Sequence, residues 1–194
     1  MKELKDMSLE ELWQLFPIIL REHNQDYAEW YSEEKEILCR ILACHAVRRI
    51  NHIGSTAVEG LIAKPTVDIL LELPPDYDMA AIAGLLQNHG WMVMGQNDGE
   101  KTLDLNKGYT PQGFAERVFH LHIKPEGDWG ELYFRDYLRQ HSEAARQYEV
   151  LKISLKKQFE HNRDAYTDAK SDFILEHTKA ARNEFAARYF PKEL

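Results

Sequence analysis

The segment Pro65–Leu73 constrains the fold more than any other part of the sequence, because its residues alternate with the period of a β-strand. Alternate side chains of a strand point to opposite faces of a sheet. The residues predicted on one face are all apolar: Val67, Ile69, Leu71 and Leu73. The residues predicted on the other face are Asp68, Leu70 and Glu72. This segment therefore predicts a sheet with one apolar face and one face that carries carboxylates.

Other periodic segments surround this strand. The sequence predicts N-terminal helices within residues 8–43, a mixed-sheet core at 47–124 and C-terminal helices across 129–190. Within the core, it predicts strands at 47–53, 65–73, 91–94, 101–105 and 118–123 and a helix at 79–88. Strands in the middle with helices before and after favour an α+β fold with a small mixed sheet over a doubly wound α/β fold. Since no repeat or linker divides the chain, we expect a single domain over 1–194.

The charge balance limits the partners that we expect. The 194 residues include 24 Lys plus Arg and 32 Asp plus Glu, which gives a formal net charge of −8. A negatively charged molecule repels polyanions, so broad binding to nucleic acids or to an anionic membrane is not expected. A locally basic pocket for a small phosphorylated ligand remains compatible with this balance.

The cysteines and the apolar runs indicate the compartment. Cys39 and Cys44 are spaced so that a helix does not bring them together, and two thiols do not make a disulfide framework. The first residues lack the apolar core of a signal peptide, and no apolar run reaches the roughly 18 residues of a membrane span. We therefore expect a reduced, cytoplasmic protein without a membrane attachment.

A glycine-containing turn precedes the carboxylate-bearing strand. Gly54 and Ser55 follow the strand predicted at 47–53, and their small size lets backbone N–H groups approach an anion closely. Thr56 follows in the same turn, and Lys64 lies just before the next strand, where Asp68 begins the polar face. A Gly-Ser turn beside a strand carboxylate could hold a phosphate and its divalent metal. Taken alone, Gly-Ser-Thr is also typical of an ordinary tight turn.

A longer set of motifs resembles a known family. The string His52-Ile-Gly-Ser-Thr continues through Val58-Glu-Gly-Leu, Ala63-Lys-Pro and Asp68-Ile, and His120-Leu-His122 and Phe134-Arg-Asp-Tyr-Leu-Arg139 follow. Tyr148, Leu151-Lys152, Tyr166 and Lys170-Ser171 extend the likeness, so that it spans about residues 52–173. This pattern resembles the GrpB family, which belongs to the nucleotidyltransferase superfamily. The resemblance implies a nucleotidyltransferase-like fold.

The resemblance also implies a chemistry for the motif residues. In the superfamily, carboxylates after a Gly-Ser turn bind Mg²⁺ or Mn²⁺ ions that bridge the phosphates of a nucleoside triphosphate. Carried over to this chain, it implies that Gly54, Ser55 and Thr56 take the phosphates and that Asp68 is the catalytic metal ligand. Lys64 or Arg135 would then neutralise developing charge.

The sequence departs from the superfamily pattern where a second carboxylate would lie. That position is Leu70, and Glu72 lies about 13 Å from Asp68 along the strand at ~3.3 Å per residue, too far to share one ion. The expected third carboxylate is absent, and the late strand offers His120 and His122 instead. Together with Asp68, these histidines predict a His₂–carboxylate site suited to Zn or Ni. The alternative is that they lie on a solvated polar face.

Basic residues in the C-terminal region complete the predicted site. Arg135 and Arg139 are four residues apart, so they share a helix face on which guanidinium groups could bind phosphate. Lys152 and Lys170 could join the same anion-binding wall. The alternative for these residues is pairing with nearby acids such as Glu131 and Asp136.

Three functions remain open from the sequence. The first is transfer of a nucleotidyl group from a nucleoside triphosphate with a divalent metal. The second is a noncatalytic protein that binds a nucleotide or a phosphorylated metabolite; GrpB relatives fused to dephospho-coenzyme A kinase connect this role with coenzyme A metabolism. The third is a His₂–Asp metal-dependent hydrolase. The partner in each case is a small phosphorylated ligand, and the apolar C-terminal stretch could also support a homodimer.

Overall fold

The computed structural model describes residues 2–43, 45 and 47–191. Helices α1 (Leu9–Leu15) and α2 (Asp26–Ile41) precede strands β1 (Arg49–Ile53) and β2 (Val67–Leu73), and α3 (Met79–Gln87) follows them. The strands β3 (Met92–Asn97), β4 (Thr102–Thr110) and β5 (Gly113–Pro125) come next. The chain ends in α4 (Gly130–Gln140), α5 (Ser142–Phe159), α6 (Arg163–Asp168) and α7 (Ser171–Phe185). Cys44 lies outside the described residues, so the prediction about the two cysteines is not addressed there.

The five strands form one mixed sheet in the order β1-β2-β5-β4-β3. β2 and β5 run parallel, whereas β1–β2, β5–β4 and β4–β3 are antiparallel. This arrangement confirms the predicted α+β class with a mixed sheet and helices before and after it. The register of the central pair places Asp68 beside His120 and Leu70 beside His122.

The apolar face of the sheet forms the main core. Ile69, Leu71, Leu121 and Ile123 are fully buried there and pack with residues of α2 and α3. Burial of each such side chain contributes about 1.5–3 kcal/mol relative to exposure. This face therefore supplies most of the apolar burial that holds the sheet against the helices.

The opposite face is partly covered by the C-terminal helices. Helix α4 packs on β1 and on α7. Leu70 lies on this face, fully buried in a small apolar cluster with Ile53 and Leu132. The position where the superfamily pattern places a second carboxylate thus belongs to the hydrophobic packing under α4.

The end of the chain differs from the sequence expectation in one respect. The residue pattern predicts one last long helix from Asp164, but the structure divides this segment into α6 and α7. Asn162 caps α6 by accepting from the Ala165 N–H at 3.0 Å, and the Lys170 N–H bonds only three residues back, to Thr167. The chain therefore breaks between α6 and α7 at Lys170. No helix in the described residues has both the length and the apolar character to span a membrane.

Candidate functional site

A cavity of about 720 Å³ lies over the polar face of the sheet. Its floor comes from Asp68, His120 and His122, and one wall comes from the Gly54–Ser55 turn. Residues of α4 to α7 enclose the rest, including Phe134, Tyr148, Lys152, Arg163, Tyr166 and Lys170. Volumes of about 300–1,000 Å³ are usual for small-molecule sites. The Gly-Ser turn, the two central strands and Lys152, which are far apart in the sequence, therefore meet in one cavity.

Gly54 is required by the geometry of its turn. It has a φ of +71°, and a Cβ atom at this position would lie 2.2 Å from Asp68 Oδ2. A side chain would therefore both strain the backbone and collide with the carboxylate. The next residue, Ser55, accepts a hydrogen bond from Lys152 Nζ at 3.2 Å. Gly54 and Ser55 thus bring the turn against Asp68, as the sequence predicted.

Thr56 is buried and serves the structure of the turn. Its hydroxyl donates to the Thr66 carbonyl at 3.0 Å and lies 3.0 Å from His52 Nε2. Burial lowers the pKa of His52 to about 4, so this imidazole is neutral near pH 7. The hydroxyl of Thr56 is engaged in these contacts. The predicted contact of Thr56 with a phosphate would therefore have to use its backbone N–H, or the hydroxyl would have to leave these partners.

Asp68 and His120 form a hydrogen-bonded pair on the cavity floor. Asp68 Oδ1 lies 3.0 Å from His120 Nδ1. Burial raises the pKa of Asp68, but the hydrogen bond from His120 and the neighbouring charges lower it to about 2. Burial lowers the pKa of His120 to about 4. At neutral pH the pair is therefore a carboxylate with a neutral imidazole.

The second floor histidine has a different carboxylate partner. His122 Nδ1 lies 2.7 Å from Asp104 Oδ1, and β4 places Asp104 beside His122 in the sheet. Burial lowers the pKa of His122, but Asp104 and other carboxylates raise it more, so that it lies above its ordinary value. Asp104 lies on β4, and its contact with His122 was not predicted from the sequence. Only the β4–β5 register brings it there, although its place between Leu103 and Leu105 already signalled a polar-face position.

The predicted metal site does not fit this geometry. Asp68 contacts His120 while Asp104 contacts His122, so the two histidines face separate carboxylates. In the part of the chain that the structure describes, no group of three His, Cys, Asp or Glu side chains is placed to hold a metal ion. Leu70 offers no donor atom. The donor set thus fits neither a His₂–Asp centre nor the carboxylate pair of two-metal phosphoryl transfer.

Three lysines are the main charged groups around the cavity. Burial, reinforced by the neighbouring cations, lowers the pKa of Lys64 and Lys152 to about 7 and that of Lys170 to about 8. Among residues 2–43, 45 and 47–191, no carboxylate forms an ion pair with any of them. Two further acids line the cavity, but Glu131 pairs with Lys124 at 2.5 Å and Asp172 is exposed. The cavity therefore holds more cationic groups than carboxylates, with Asp68 as the ionised carboxylate on its floor.

Arg135 and Arg139 do not reach the cavity. Arg135 is buried in a network in which Nη1 donates to the His52 carbonyl at 3.0 Å and Nη2 contacts Asp136 at 2.8 Å. Arg139 Nε donates to the Ala57 carbonyl at 2.9 Å and lines a separate surface groove. The guanidinium groups thus hold α4 against β1 and the turn. Their predicted role as phosphate ligands does not agree with these positions.

Glu72 also has a structural environment. It is fully buried, and its two oxygens accept from Arg49 Nε at 2.7 Å and Nη2 at 2.6 Å. The Gly127 N–H donates to the same carboxylate at 3.0 Å. This agrees with the prediction that Glu72 is too far along β2 to share an ion with Asp68.

Arg163 and Tyr166 line the cavity and Tyr109 contacts His120 on its floor, but none of the three was predicted as a site residue. Arg163 begins α6, and its guanidinium lies 3.0 Å from His120 Nε2. Tyr166 is fully buried, and its hydroxyl has no hydrogen-bond partner within the described residues. Local sequence around Arg163 resembles any charged helix start, so only the tertiary fold identifies it. Tyr166 and Lys170 are four residues apart, a spacing that packing on one helix face also explains.

Comparisons with known proteins match this chain to sequences and a solved structure that are described as GrpB or UPF0157 proteins. The profile described as "GrpB protein" matches residues 17–180. A UPF0157 protein of Pseudomonas aeruginosa is 34% identical over 149 residues, which is 76% of this chain and 61% of that protein. The UPF0157 protein YqkA of Bacillus subtilis is 30% identical over 155 residues, 78% of this chain and 43% of YqkA. This chain thus spans about half the length of these two relatives.

Other relatives match over nearly their whole length. The glutamate-rich protein GrpB of Alkalihalophilus pseudofirmus is 28% identical over 165 residues, which is 82% of this chain and 92% of that protein. The crystal structure of the conserved protein GrpB from Enterococcus faecalis superposes with a TM-score of 0.73 at 28% identity, covering 86% of this chain and 99% of that one. The family match covers most of the chain, and the solved structure has the same fold. The chain belongs to the GrpB family.

Proposed function

We propose that this protein binds a small phosphorylated ligand, such as a nucleotide or a phosphorylated metabolite, in the cavity over the polar face of its sheet. The observation that carries the proposal is the convergence of Lys64, Lys170 and Arg163 on one cavity without carboxylate partners in the described chain. These cations are partly buried and outnumber the one nearby carboxylate, Asp68, so they destabilise one another. A bound phosphate would add negative charge beside them.

The lowered pKa values of the lysines support this proposal. Burial and repulsion from neighbouring cations such as Arg163 hold the pKa of Lys64 near 7 and that of Lys170 near 8, although Asp68 acts in the opposite direction on both. A phosphate dianion beside them would favour their charged forms and raise both values. The cavity is thus electrostatically complementary to an anion.

The Tyr166 hydroxyl supports it independently of charge. A buried hydroxyl without a hydrogen bond costs about 1–3 kcal/mol. Tyr166 lines the cavity, and Lys170 Nζ lies 4.4 Å from the centre of its ring. A phosphate oxygen near Lys170 could accept the hydrogen bond that this hydroxyl lacks. The hydroxyl and the ammonium would then act on the same ligand group.

The cavity also offers an apolar wall. Phe134 and Tyr148 are buried with ring centroids 5.2 Å apart, and Ile174 and Leu175 also line the cavity. Apolar walls with a few convergent polar groups are typical of small-ligand sites. A ligand with an organic group attached to its phosphate fits this lining better than a bare ion would.

Nucleotidyl transfer with a divalent metal is the second candidate, and the contact of the Gly54 turn with Asp68 favours it. That chemistry needs several oxygen ligands around each Mg²⁺. Leu70 is buried where one would lie, and His120 and His122 are engaged with separate carboxylates. Ligand binding therefore agrees with the geometry better than metal-dependent transfer does.

Calorimetric titration tests the proposal. The probes are inorganic phosphate, pyrophosphate, coenzyme A, ATP, GTP, CTP and UTP, each with and without Mg²⁺. We expect at least one to bind, and Lys170→Met to weaken that binding at least about tenfold because it removes a charge-assisted contact. Lys179→Met is the matched control, since Lys179 is exposed on α7. Absence of binding for every probe, or equal losses in the two variants, would contradict the proposal.

A further inference from the structure

We infer that Asp68 and His120 are not metal ligands in this protein but hold Arg163 in position to bind a phosphate group that carries no divalent metal. The inference rests on the proposed function, because it concerns the ligand of the same cavity. It specifies the ligand as a metal-free phosphate, and it gives Asp68 and His120 positioning roles.

The hydrogen bonds of His120 determine its tautomer. Ionised Asp68 can only accept, so the Nδ1 atom 3.0 Å away must carry the proton of His120. Arg163 can only donate, so Nε2, at 3.0 Å from Arg163 Nη2, must accept. The Tyr109 hydroxyl lies 2.8 Å from the same Nε2 atom. Both ring nitrogens are therefore used, and no imidazole lone pair remains for a metal ion.

Arg163 is oriented by two neighbours on the sheet. His120 accepts from Nη2, and the guanidinium carbon lies 5.2 Å from the centre of the Tyr109 ring. Within the described ranges, no carboxylate pairs with this guanidinium, although it lines the cavity. A guanidinium has a planar fork of donors that matches phosphate oxygens. The hydrogen bonds that link Arg163 to His120 and His120 to Asp68 thus orient the guanidinium. It has no carboxylate partner in the described residues and is available to bind phosphate.

The charges around Asp68 oppose a divalent cation. The neighbours that act electrostatically on Lys64 include Arg163, Lys170 and Lys152, and Asp68 is the carboxylate among them. A metal ion at Asp68 would add two positive charges to a group of cations. A phosphate dianion would instead lie among Lys64, Arg163 and Lys170, with the Tyr166 hydroxyl available to donate.

The test compares two substitutions of His120 by calorimetry with the best-binding phosphate probe in EDTA and in Mg²⁺. His120→Gln keeps an acceptor near the Nε2 position for Arg163, whereas His120→Asn keeps a donor near Nδ1 but loses that acceptor. We expect the wild type to bind with the same Kd within about twofold in both solutions. We also expect His120→Asn to weaken binding about tenfold and His120→Gln to change it less than about threefold. Thermal melts and circular dichroism spectra verify that each variant is folded.

A double-mutant cycle with Arg163→Ala distinguishes positioning from a general structural effect. If His120 acts through Arg163, His120→Asn weakens binding no further once Arg163 is removed. Additive losses would overturn the inference, and so would binding that requires Mg²⁺ or Mn²⁺. Metal-dependent binding would leave the proposed function standing, whereas absence of binding in every solution would contradict both.

Discussion

Two carboxylates on one face of β2 have opposite environments. Glu72 is fully buried, and Arg49 and the Gly127 N–H satisfy both of its oxygens. Asp68 lies four residues earlier, its side chain is 27% exposed, and the cations near it include Lys64 and Lys170, which have no carboxylate ion pair in the described residues. The difference teaches that the carboxylate at one end of the polar face is paired within the protein and stabilises the fold, whereas at the other end the cations outnumber the carboxylate. An anionic ligand can pair with the cations at the Asp68 end.

The largest expected effect is on stability at the Glu72 end. Glu72→Gln leaves the Arg49 guanidinium without its carboxylate, and breaking a buried ion pair from one side costs about 3–5 kcal/mol. Urea unfolding measures this loss, with Glu176→Gln on the exposed face of α7 as the control. A loss below about 1 kcal/mol, the range of exposed ion pairs, would show that the two carboxylates do not differ as described.

Gly54→Ala should affect both stability and binding. The new Cβ atom would lie 2.2 Å from Asp68 Oδ2 and would occupy a backbone conformation with φ of +71°. We expect a stability loss of about 1–3 kcal/mol, because strained backbone conformations cost that much, and loss of phosphate binding because Asp68 must move. Gly60→Ala provides the control, since Gly60 has a φ of +75° but a Cβ atom there would meet no other atom within 4 Å. Equal effects of the two substitutions would mean that backbone strain alone, and not the contact with Asp68, matters.

Lys64→Met should stabilise the unliganded protein while weakening binding. Burial holds the pKa of Lys64 at about 7, below its ordinary 10.5, so the folded state disfavours the charged form. Since the unfolded chain binds more protons between these values, the free energy of unfolding of the wild type rises with pH from 7 toward 10 relative to the variant. We expect Lys64→Met to add about 1–2 kcal/mol at pH 7, after allowance for partial exposure. Urea unfolding at pH 7 and pH 9 measures both quantities, and a destabilised variant with no change in pH dependence would contradict this expectation.

Tyr166→Phe should have the smallest effect on stability. The hydroxyl has no partner in the described structure, so its removal should leave the free energy of unfolding unchanged or raise it by up to about 1 kcal/mol. Phosphate binding should nevertheless weaken, because the ligand loses a donor. Tyr133→Phe is a useful contrast, since the Tyr133 hydroxyl donates to Asp128 at 2.7 Å and its loss should destabilise the protein. A clear loss of stability in Tyr166→Phe would indicate a hydroxyl partner that the ligand does not supply.

The sequence predicted the parts of the site that local patterns encode. The alternation of β2 placed Asp68 and Glu72 on one face, and the Gly54–Ser55 turn was located from residue types alone. The mixed sheet and its helices also followed from the order of the periodic segments. These features depend on neighbours close in the chain, which a sequence displays directly.

The remaining parts depend on contacts between distant segments. The β4–β5 register brings Asp104 to His122, and the packing of α6 and of the residue before α7 on the sheet lines the cavity with Tyr166 and Lys170. Arg135 was predicted to bind phosphate, but its position beside β1 places its guanidinium on the His52 carbonyl. Which cation is paired and which is unpaired is decided by tertiary packing, so local spacing does not reveal it.

A crystal of the metal-stripped protein soaked in tungstate and EDTA tests the central claim most directly. Tungstate is a tetrahedral oxyanion like phosphate, and its anomalous signal locates it without reference to the protein coordinates. We predict one strong peak within hydrogen-bond distance of Arg163, Lys170 and the Tyr166 hydroxyl, on the Asp68 end of the polar face. A peak at Arg135 or Arg139 with none in the cavity would contradict the claim.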